Sequence, residues 1–503
     1  MTPTLDDLRN RLPAALSPSV AGDGSTTVGA VTHDSRAVMA DGMYACLRGE
    51  HHDGHVFAPD AVRAGASSLL VDHPLTEKQV GPPELARRVS QLVVGDTRRA
   101  LGPISAAVHG DPSAALRVVG ITGTSGKTTT TALIAAILRS AGDPTGVIGT
   151  LSGAFTTPEA PELQARLASM LRDGDRSVVM EVSSHSLAMH RVDGTTFDAA
   201  VFTNLGRDHL DLHGTVEEYF RAKALLFQPG RAVVGVVNVD DTHGRLLFDA
   251  APIEMVPYSR GDADDVTVDA GSHAYTWRGH RIDVPLGGAF NVMNSLAAAT
   301  TAAALGISIE TIAAALASVE PVRGRFEHVT IDRDPDREEL DIDVVVDYSH
   351  KPEALEEVIA TAGAIVGERG RVIVVFGAGG DRDRLKRPLM GSAASRMADL
   401  AIVTSDNPRS EDPMVIIDEI LSGVSDGDRD RVEIEPDRAA AIRLGISLAE
   451  PGDMVIVAGK GHETYQLIGD EVLPFDDREV ARSILLELAG APSNGAAQKD
   501  TFR

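Results

Sequence analysis

The chain has 503 residues, of which 43% are hydrophobic and 24% are charged, and its formal net charge is -26. This length exceeds what one hydrophobic core usually holds, so about three domains are expected. Nucleic acids and anionic membranes would repel so acidic a surface, which argues against either as a main partner. Any phosphate site must therefore be made locally positive by lysine, arginine, a helix N-terminus or a metal ion.

The remaining general features predict a protein of a reducing compartment. Cys46 is the one cysteine, so no disulfide can form within the chain. The first residues have no basic start followed by an apolar stretch, which predicts no signal peptide. No apolar run reaches the roughly 18 residues that a membrane span needs. We therefore expect a cytoplasmic protein without membrane insertion.

Residues 1–94 mix short strands and helices. The stretches TTVGAVTHDSRAV and GMYACLRG have the character of strands around a turn. AVRAGASSLLVD predicts the end of a helix followed by a buried strand.

Residues 95–330 alternate between strand and helix patterns. The apolar run RVVGITG ends in glycine, and KTTTTALIAAILRSAG then has helical periodicity up to Gly142. Three further apolar runs, SVVMEV, AAVFTNL and AVVGVVNV, are typical of buried parallel strands.

The alternation restarts in residues 331–503, where four apolar runs end in polar or glycine-rich turns. They are DVVVDYSH, RVIVVFGAGG, LAIVTSDN and DMVIVAGKG. Helical stretches separate them, as in a doubly wound sheet. The sequence therefore predicts an α/β fold.

The strongest local signal is GITGTSGKTTT, residues 120–130, where a strand meets a glycine-rich turn and a helix begins at Lys127. Glycines let backbone N–H groups close around phosphate oxygens, Lys127 adds a full charge, and Thr128 can ligate Mg²⁺. Ile121 occupies a position where the usual pattern has glycine, so the loop is a variant. A plain strand-to-helix turn is the alternative. Because motors, kinases, switches and ligases share such loops, the motif alone names no reaction.

Charged and imidazole groups follow two of the predicted strands. Glu181 ends SVVMEV, while Asp208 and His209 follow AAVFTNL. The carboxyl ends of parallel strands meet in a ligand-binding crevice, so Glu181 is a candidate for Mg²⁺ and His209 for a second ion. Mg²⁺ prefers oxygen ligands, so His209 taken alone is more often a hydrogen-bonded turn residue. Lys223, in the helical stretch YFRAKALLF, would by default be a surface lysine.

Nine motifs, in this order, resemble those of the Mur ligases, and within that family the branch that adds the third peptide residue. They are GITGTSGKTTT, MEVSSHSL, TNLGRDHLDLHGT, YFRAKALLF, GAFNVMNSLAA, VRGRFE, DYSHKPEAL, DNPRSEDP and GKGHETYQ. With THDSRAV near the start, the resemblance covers nearly the whole chain. Folylpolyglutamate synthases share the phosphate loop and parts of the core, but not the N-terminal segment.

The resemblance implies three domains: residues 1–94 for the UDP-muramoyl substrate, 95–330 for ATP and 331–503 for the incoming amino acid. The central domain would hold a parallel sheet of the P-loop mononucleotide-binding type, and the C-terminal domain a Rossmann-like sheet. It also implies an ATP-dependent ligase that phosphorylates the terminal carboxylate of UDP-N-acetylmuramoyl-L-alanyl-D-glutamate before an amine attacks. The partners would be these small molecules, and we expect a monomer.

The resemblance also assigns roles to individual residues on the nucleotide side. ATP would contact Gly123, Thr124, Ser125, Gly126, Lys127, Thr128, Thr129, Asn291, Asn294, Arg325 and Asp347. Mg²⁺ would be held by Thr128, Glu181, His209 and Lys223, the last as a carbamate formed with CO₂. Lys127, Lys223, His209 and Glu181 would be the catalytic group.

A second set matches contacts to the UDP-muramoyl dipeptide: His33, Ser35, Glu50, His51, His52, Thr156, Thr157, Ser183 and Arg191. Met189 stands where some relatives have glutamine, so one polar contact to this substrate can be absent. Gly206 and Ser349 also depart from the common pattern, and we expect both changes to be tolerated.

By the resemblance, the third domain would select the amino acid, and its DNPR sequence resembles the diaminopimelate-adding branch of the family, so we expect that substrate. The guanidinium of Arg409 can grip a carboxylate with two hydrogen bonds, and lysine lacks the second carboxylate of diaminopimelate. Lysine would leave a buried guanidinium unpaired, which is costly; a surface ion pair is the alternative for each arginine. The predicted diaminopimelate contacts are Arg382, Asp406, Asn407, Pro408, Arg409, Gly459 and Glu463. The rival functions are a lysine-adding member of the family and a nucleotide-dependent switch without ligase chemistry.

Overall fold

The computed structural model describes residues 2–49, 52–153, 155–208, 210–331 and 340–490. The chain divides into two compact units, Met1–Ser259 with Leu296–Ile312 and Arg260–Ser295 with Ala313–Arg503. The borders of the three domains expected from the sequence stay a prediction. None of the described helices combines the length and the apolarity needed to cross a membrane.

Five short strands near the start of the chain form the first sheet, in the order β1-β5-β4-β3-β2. The strands are β1 Ser19–Ala21, β2 Val31–Thr32, β3 Met43–Ala45, β4 Ser68–Val71 and β5 Ser90–Val93. The helices are α1 Leu5–Arg11, α2 Ala58–Ala64, α3 Glu77–Val80, α4 Pro83–Ala86 and α5 Thr97–Val108. Leu70 packs in the apolar cluster with α1 and α5, whereas Leu69 packs in the cluster with α2. The sheet is therefore buried on both faces.

The second sheet has six strands, all parallel, in the order β11-β10-β9-β6-β8-β7. The strands are β6 Arg117–Thr122, β7 Thr145–Ile148, β8 Ser177–Glu181, β9 Phe197–Phe202, β10 Ala232–Asn238 and β11 Glu254–Tyr258. The helices are α6 Lys127–Ser140, α7 Ala160–Asp173, α8 Ser184–Ala188, α9 Leu210–His213, α10 Val216–Ala224 and α11 Thr242–Ala250. Ile121 of β6 lies opposite Glu181 of β8 and Val201 of β9, so the ends of these strands meet at one edge.

A small antiparallel sheet follows, which the sequence analysis did not predict. Its strands are β12 Asp264–Val268, β13 His273–Trp277 and β14 His280–Val284, and the helices α12 Ala289–Ala304 and α13 Ile309–Ala317 come next. Arg278 and Gly279 form the two-residue turn between β13 and β14, with φ of 48° and 79°. Positive φ at both turn residues matches the twist of a tight hairpin.

The last sheet has the order β15-β16-β20-β17-β18-β19, and only the pairing of β15 is antiparallel. Its strands are β15 Glu327–His328, β16 Asp343–Asp347, β17 Val372–Phe376, β18 Leu400–Val403, β19 Val432–Ile434 and β20 Met454–Ala458, followed by a hairpin of β21 Tyr465–Ile468 and β22 Glu471–Pro474. The helices are α14 Pro352–Val366, α15 Lys386–Met397, α16 Pro413–Leu421, α17 Arg438–Leu448 and α18 Asp477–Leu488. Helices α14 to α16 pack on one face and α17 and α18 on the other, which confirms the doubly wound prediction.

Candidate functional site

The phosphate loop, residues 123–126, joins β6 to α6 in the first unit. Gly126 is the N-cap of α6 with φ of 81°, and a Cβ on Gly123 would lie 1.8 Å from Oγ1 of Thr203. Both positions therefore require glycine. The first N–H groups of a helix lack intrahelical partners and carry partial positive charge, so the start of α6 is suited to an anion. The amine of Lys127 lies over the loop, 2.8 Å from the carbonyl oxygen of Gly123 and 3.0 Å from that of Thr124.

Asn204 supports this loop from the end of β9, and the sequence analysis missed it. Its carbonyl oxygen accepts the N–H of Thr124 at 3.0 Å, and its side-chain oxygen accepts the N–H of Ser125 at 2.9 Å. The hydroxyl of Thr203 donates to the carbonyl of Ser125 at 2.7 Å. Two amides of the loop, those of Thr124 and Ser125, thus donate to Asn204. A polar residue directly after an apolar strand was the available signal.

Glu181 is buried at the end of β8, with 2% of its surface exposed. Its Oε2 accepts the hydroxyl of Thr128 at 3.1 Å and that of Thr150 at 3.3 Å, while Oε1 accepts the N–H of Thr150 at 2.8 Å. A Cβ on Gly149 would lie 2.4 Å from Oε1, so a larger residue there would displace the carboxylate. A carboxylate beside a threonine hydroxyl supplies the oxygen ligands that Mg²⁺ prefers, and this pair fits that ion. Thr150 was not foreseen from the sequence.

Lys223, on α10, is buried, and the surface-lysine alternative is therefore wrong. Only 1% of the residue is exposed, and its amine donates to the carbonyl oxygen of Gly123 at 2.8 Å. The same amine lies 4.5 Å from the ring centre of Tyr219, whose hydroxyl is 3.1 Å from Oγ1 of Thr124. Burial raises the pKa of the Tyr219 hydroxyl, so it stays protonated as a hydrogen-bonding group. Tyr219, which the sequence analysis did not single out, thus contacts both Lys223 and the phosphate loop.

The residues matched to the muramoyl-peptide form one network with Glu181. Thr157 donates its hydroxyl to the carbonyl oxygen of Glu181 at 2.9 Å and accepts the N–H of Ser183 at 3.1 Å. Arg191 donates to the carbonyl oxygen of Thr157 at 3.3 Å. The hydroxyl of Thr156 lies 3.0 Å from that of Thr150 and so joins the same network.

Glu159 anchors the guanidinium of this network, and it was missed from the sequence. It pairs with Arg191 at 2.9 Å and lies 3.7 Å from Arg98. Met189 is the residue that ends α8, and its apolar side chain offers no hydrogen bond at this point of the network.

The structure shows few contacts for the residues that were matched to the uridine part of the substrate. Glu50, His51 and the metal candidate His209 lie outside the described residues. His33 and Ser35 follow β2 and are half-buried, and no hydrogen-bond partner for Nδ1 of His33 exists within the described part of the chain. His52 is exposed, with its ring 6.5 Å from that of Phe57.

In the second unit, the two asparagines predicted to contact ATP are buried and hydrogen-bonded. On α12, the side chain of Asn291 donates to the carbonyl of Gly287 at 2.7 Å, and Asn294 donates to the amide oxygen of Asn291 at 2.8 Å. These bonds fix the orientation of both amides.

Asp347, at the end of β16, accepts the N–H of Phe326 at 2.7 Å and that of Ser349 at 2.8 Å. Burial raises the pKa of the Asp347 carboxyl above its ordinary value. Arg325 stacks its guanidinium 4.4 Å from the ring centre of Tyr348. Ser349, one of the departures from the family pattern, is thus a hydrogen-bond donor to Asp347.

The side chains of two arginines lie beside Gly379, beyond the end of β17: Arg409 with its guanidinium and Arg382 with its aliphatic stem. A Cβ on Gly379 would lie 3.0 Å from Nη1 of Arg409 and 3.7 Å from Cγ of Arg382. Arg409 is half-buried and donates to the carbonyl oxygen of Gly380 at 2.7 Å, whereas Arg382 is exposed. Neither arginine forms an ion pair with any residue that the structure describes, so the surface-ion-pair alternative finds no support there.

The remaining amino-acid candidates gather around Lys460, which the sequence analysis missed. The buried amine of Lys460 lies 3.2 Å from Oε2 of Glu463 and 3.2 Å from the amide oxygen of Asn407. Asn407 in turn donates to Glu463 at 2.8 Å. A Cβ on Gly459, whose φ is 116°, would lie 2.7 Å from Oδ2 of Asp406. Lys460 is therefore the group that orients Asn407 and Glu463.

A separate cluster of metal-ligand types, made of His55, Asp72 and His73, lies in the first unit. Asp72 already accepts hydrogen bonds from Arg48 at 2.6 Å and from His73 at 2.5 Å. Its carboxylate is thus satisfied without an ion.

Comparisons with known proteins agree with the motifs. The family models described as "Mur ligase family, catalytic domain", "Mur ligase middle domain" and "Mur ligase, glutamate ligase domain" match residues 27–109, 121–302 and 324–461. Two similar curated proteins are named UDP-N-acetylmuramoyl-L-alanyl-D-glutamate–2,6-diaminopimelate ligase. The one from Geobacillus kaustophilus (strain HTA426) is 44% identical over 92% of this chain and 96% of its own. The one from Streptomyces coelicolor (strain ATCC BAA-471 / A3(2) / M145) is 43% identical over 93% and 95%.

Solved structures give the same relationship. A structure of a protein with that ligase name has a TM-score of 0.66 and 31% identity, covering 96% of this chain and 99% of its own. The MurF ligase from Thermotoga maritima in complex with ADP has a TM-score of 0.58 and 20% identity over 91% and 96%, a likeness of fold.

Proposed function

The chain belongs to the Mur ligase family, and we propose that it is the ATP-dependent ligase that adds meso-diaminopimelate to UDP-N-acetylmuramoyl-L-alanyl-D-glutamate. The reaction would take place in the cytoplasm, in the synthesis of peptidoglycan precursors, and the protein would act as a monomer. One observation supports the choice of amino acid. The side chains of Arg382 and Arg409 both lie beside Gly379, and neither has a carboxylate partner among the described residues.

The chemistry requires activation, because a carboxylate is a poor acyl donor. The γ-phosphoryl group of ATP moves to an oxygen of the terminal carboxylate and gives an acyl phosphate and ADP. The amine of the third residue then attacks the carbonyl carbon, and phosphate leaves with the oxygen it received. Two anions must meet in the first step, so Lys127 and the N-terminus of α6 would neutralise charge on the phosphates.

Thr128 and Glu181 would hold Mg²⁺ together with His209 and a carbamate on Lys223. A bound Mg²⁺ would offset the phosphate charge during transfer. The buried amine of Lys223 beside Gly123 supports this role, because carbamylation would turn a buried cation into an oxygen ligand. In the unmodified lysine, the ring of Tyr219 and the carbonyl of Gly123 hold the amine in position.

Binding of the UDP-muramoyl dipeptide would use His33, Ser35, Glu50, His51 and His52 on the uridine side, and Thr156, Thr157, Ser183 and Arg191 on the peptide side. The network that ties Thr157 to Glu181 supports this arrangement, because it links the peptide contacts to the metal ligand. Arg191 would supply positive charge to the peptide carboxylates, and Glu159 fixes its guanidinium.

Selection of diaminopimelate would depend on charge matching in the second unit. Arg409, supported by Arg382, would bind one carboxylate of the substrate with its planar fork. Glu463 would receive an ammonium group, since Lys460 and Asn407 contact its Oε2 and leave Oε1 for another donor. Asp406, Asn407, Pro408 and Gly459 would form the rest of the pocket. Lysine has no second carboxylate, so it would leave Arg409 unpaired.

The test is mass spectrometry of the products formed from ATP, Mg²⁺, the UDP-muramoyl dipeptide and either diaminopimelate or lysine. We expect the dipeptide to gain one diaminopimelate residue, with ADP and phosphate released only when every substrate is present. Equal turnover with lysine would establish the lysine-adding alternative. ATP hydrolysis that ignores the muramoyl substrate would instead favour a nucleotide switch.

A further inference from the structure

We propose that Arg387 and Glu411 are positioning residues that set the selectivity for the incoming amino acid. They would do so by fastening the GGDRD loop, residues 379–383, to the DNPR loop, residues 406–411, and so fixing the spacing between Arg382 and Arg409. This inference rests on the proposed function and adds a part of the machinery that does not itself touch a substrate.

Arg387 is the centre of this fastening. It lies in the first turn of α15 with its side chain fully buried, which is unusual for arginine unless every charge is paired. Its Nη1 and Nη2 donate to the two carboxylate oxygens of Glu411, both at 2.8 Å. Nη1 also donates to Glu419 at 2.7 Å, and Nη2 to the carbonyl oxygen of Gly379 at 3.1 Å. One guanidinium thus holds the DNPR loop, the GGDRD loop and α16 together.

The two loops are also joined to each other directly. Glu411 accepts the backbone N–H of Asp381 at 2.6 Å, and Gly380 donates its N–H to the carbonyl oxygen of Asn407 at 2.9 Å. In the opposite direction, Asp381 accepts the N–H of Ser410 at 3.1 Å and its hydroxyl at 2.7 Å. These contacts run in both directions and fix the register of the two loops. Arg382 follows Asp381 and Arg409 precedes Ser410, so the contacts hold the two arginines at a set separation.

The backbone is shaped for this close approach. A Cβ on Gly380 would lie 1.8 Å from the carbonyl oxygen of Pro408, which leaves no room for a side chain. Asp381 and Arg409 both have left-handed conformations, with φ of 51° and 53°. Such conformations are costly for residues other than glycine and persist where surrounding contacts hold them. One of these strained residues, Asp381, directly precedes Arg382, and the other is Arg409 itself.

Charge gives Arg387 a second role. Glu411 lies two residues from Arg409, and its pKa is lowered to about 2 by hydrogen bonds from Arg387 and from the N–H of Asp381. It is therefore an anion at every physiological pH. By occupying both oxygens of Glu411, Arg387 prevents this anion from pairing with Arg382 or Arg409. The substrate-facing guanidinium groups would thus stay available for the second carboxylate of the amino acid.

The experiment compares kcat/KM for diaminopimelate and for lysine in the full chain, after wild-type turnover has been established. In Arg387→Lys the charge stays buried, but an ammonium cannot grip Glu411 and reach Gly379 at once. We expect the selectivity ratio, diaminopimelate over lysine, to fall by about tenfold or more, since positioning errors of this kind carry such penalties. The KM for ATP should change by less than about twofold.

Two further variants protect the test against misfolding. Asp381→Asn tolerates the left-handed backbone, and Ser410→Ala removes one hydroxyl, so both loosen the solvent side of the contact without burying an unpaired charge. Each should lower the selectivity ratio in the same direction by a smaller factor. The matched control is Arg396→Gln, on the same helix as Arg387, which breaks an exposed ion pair with Glu356 of α14 and should leave the ratio unchanged.

The outcomes distinguish a failure of this inference from a failure of the proposed function. If Arg387→Lys, Asp381→Asn and Ser410→Ala lower thermal stability but keep the wild-type ratio, the residues are merely structural and the inference is overturned. A parallel rise in the KM for ATP would overturn it as well. A wild-type enzyme that fails to use diaminopimelate would defeat the proposed function itself, before any variant is compared.

Discussion

The amine of Lys223 donates a 2.8 Å hydrogen bond to the carbonyl oxygen of Gly123, although 100 positions separate the two residues in the chain. Gly123 opens the phosphate loop, and Lys127 donates to the same carbonyl oxygen. Two lysines, one from α6 and one from α10, therefore converge on a single backbone atom at the edge of the central sheet. The arrangement couples the predicted metal ligand Lys223 to the predicted phosphate ligand Lys127 through a residue that must be glycine.

We predict that Lys223→Ala loses most ligase activity, by roughly 10²-fold or more, because the metal site loses an oxygen ligand. Short-chain carboxylates such as acetate should restore part of the activity by supplying a substitute oxygen. The measurement is the rate of phosphate release with all substrates present. Lys78→Ala, at a surface lysine of α3, is the control and should keep wild-type activity. An active Lys223→Ala enzyme would exclude the carbamate role.

We predict that Gly123→Ala raises the KM for ATP and lowers kcat together. The added Cβ would lie 1.8 Å from the hydroxyl oxygen of Thr203, so the loop must shift and carry with it the carbonyl that both lysines contact. The control is Gly363→Ala in α14, where the added group would meet no atom within 4 Å apart from the backbone of its own helix. That change should be neutral or stabilise by up to about 1 kcal/mol through helix propensity. Steady-state kinetics and thermal unfolding of both variants check the prediction.

The sequence predicted the inner parallel strands of the two large sheets, because each is an apolar run whose polar or glycine end marks the sheet edge. Glu181 at the end of β8 and Asp406 after β18 were found in this way. The outer strands β7, β11 and β19 were not predicted, and few residues of β11 and β19 are buried. The small antiparallel sheet was missed, since β12 contains no buried residue and the apolar pattern of the sheet is short. Lys223 was misread as a surface residue from the residues alone, because helical periodicity does not reveal which charged side chain turns inward.

The supporting residues were missed for a different physical reason. Asn204, Thr150, Tyr219, Lys460 and Arg387 act through partners that are distant in sequence, such as the 95 positions between Tyr219 and Thr124. A local pattern contains no record of such pairs. Only the folded chain shows that a buried polar group is satisfied, and by which partner.

We predict that Arg409→Lys selectively weakens the use of diaminopimelate. A lysine amine cannot grip a carboxylate with two parallel hydrogen bonds, so kcat/KM for diaminopimelate should fall by about tenfold to a hundredfold. The low activity with lysine as substrate should change much less, because that substrate presents no second carboxylate. Equal losses for both amino acids would show that Arg409 maintains the fold and does not recognise the substrate.

We predict that Asp477→Ala destabilises the second unit strongly. Asp477 and Arg438 are both fully buried, with hydrogen bonds of 2.7 and 2.8 Å, and the alanine would leave a buried guanidinium without its counter-charge. Removing one partner of such a pair costs about 3–5 kcal/mol. The exposed pair Arg443 and Glu487 is the control, and Glu487→Ala should cost less than about 1 kcal/mol. Denaturant unfolding of the variants measures both values, and similar losses would contradict the prediction.

Stability should also fall as the solution becomes mildly acidic, and His273 is one cause. Burial lowers the pKa of its imidazole to about 4, where Nδ1 donates to the carbonyl oxygen of Leu286 at 2.6 Å and Nε2 faces the hydroxyl of Ser295 at 2.9 Å. In the unfolded chain the ordinary pKa is about 6.5, so below that pH the unfolded state binds a proton that the folded state does not. The stability from this group is complete above pH 6.5 and is lost as the pH falls towards 4.

The size of the pKa shift of His273 sets the size of the stability loss. A pKa difference of about 2.5 corresponds to a loss of at most about 3 kcal/mol from His273 between pH 6.5 and 4. His350 and His462 are half-buried and their pKa values are also lowered to about 4, chiefly by desolvation, so they add losses of the same sign in the same range. His273→Gln keeps a donor for Leu286 but cannot titrate, so its unfolding free energy should depend less steeply on pH. If the variant and the wild type show the same slope between pH 6.5 and 4, His273 does not remain neutral in the folded protein.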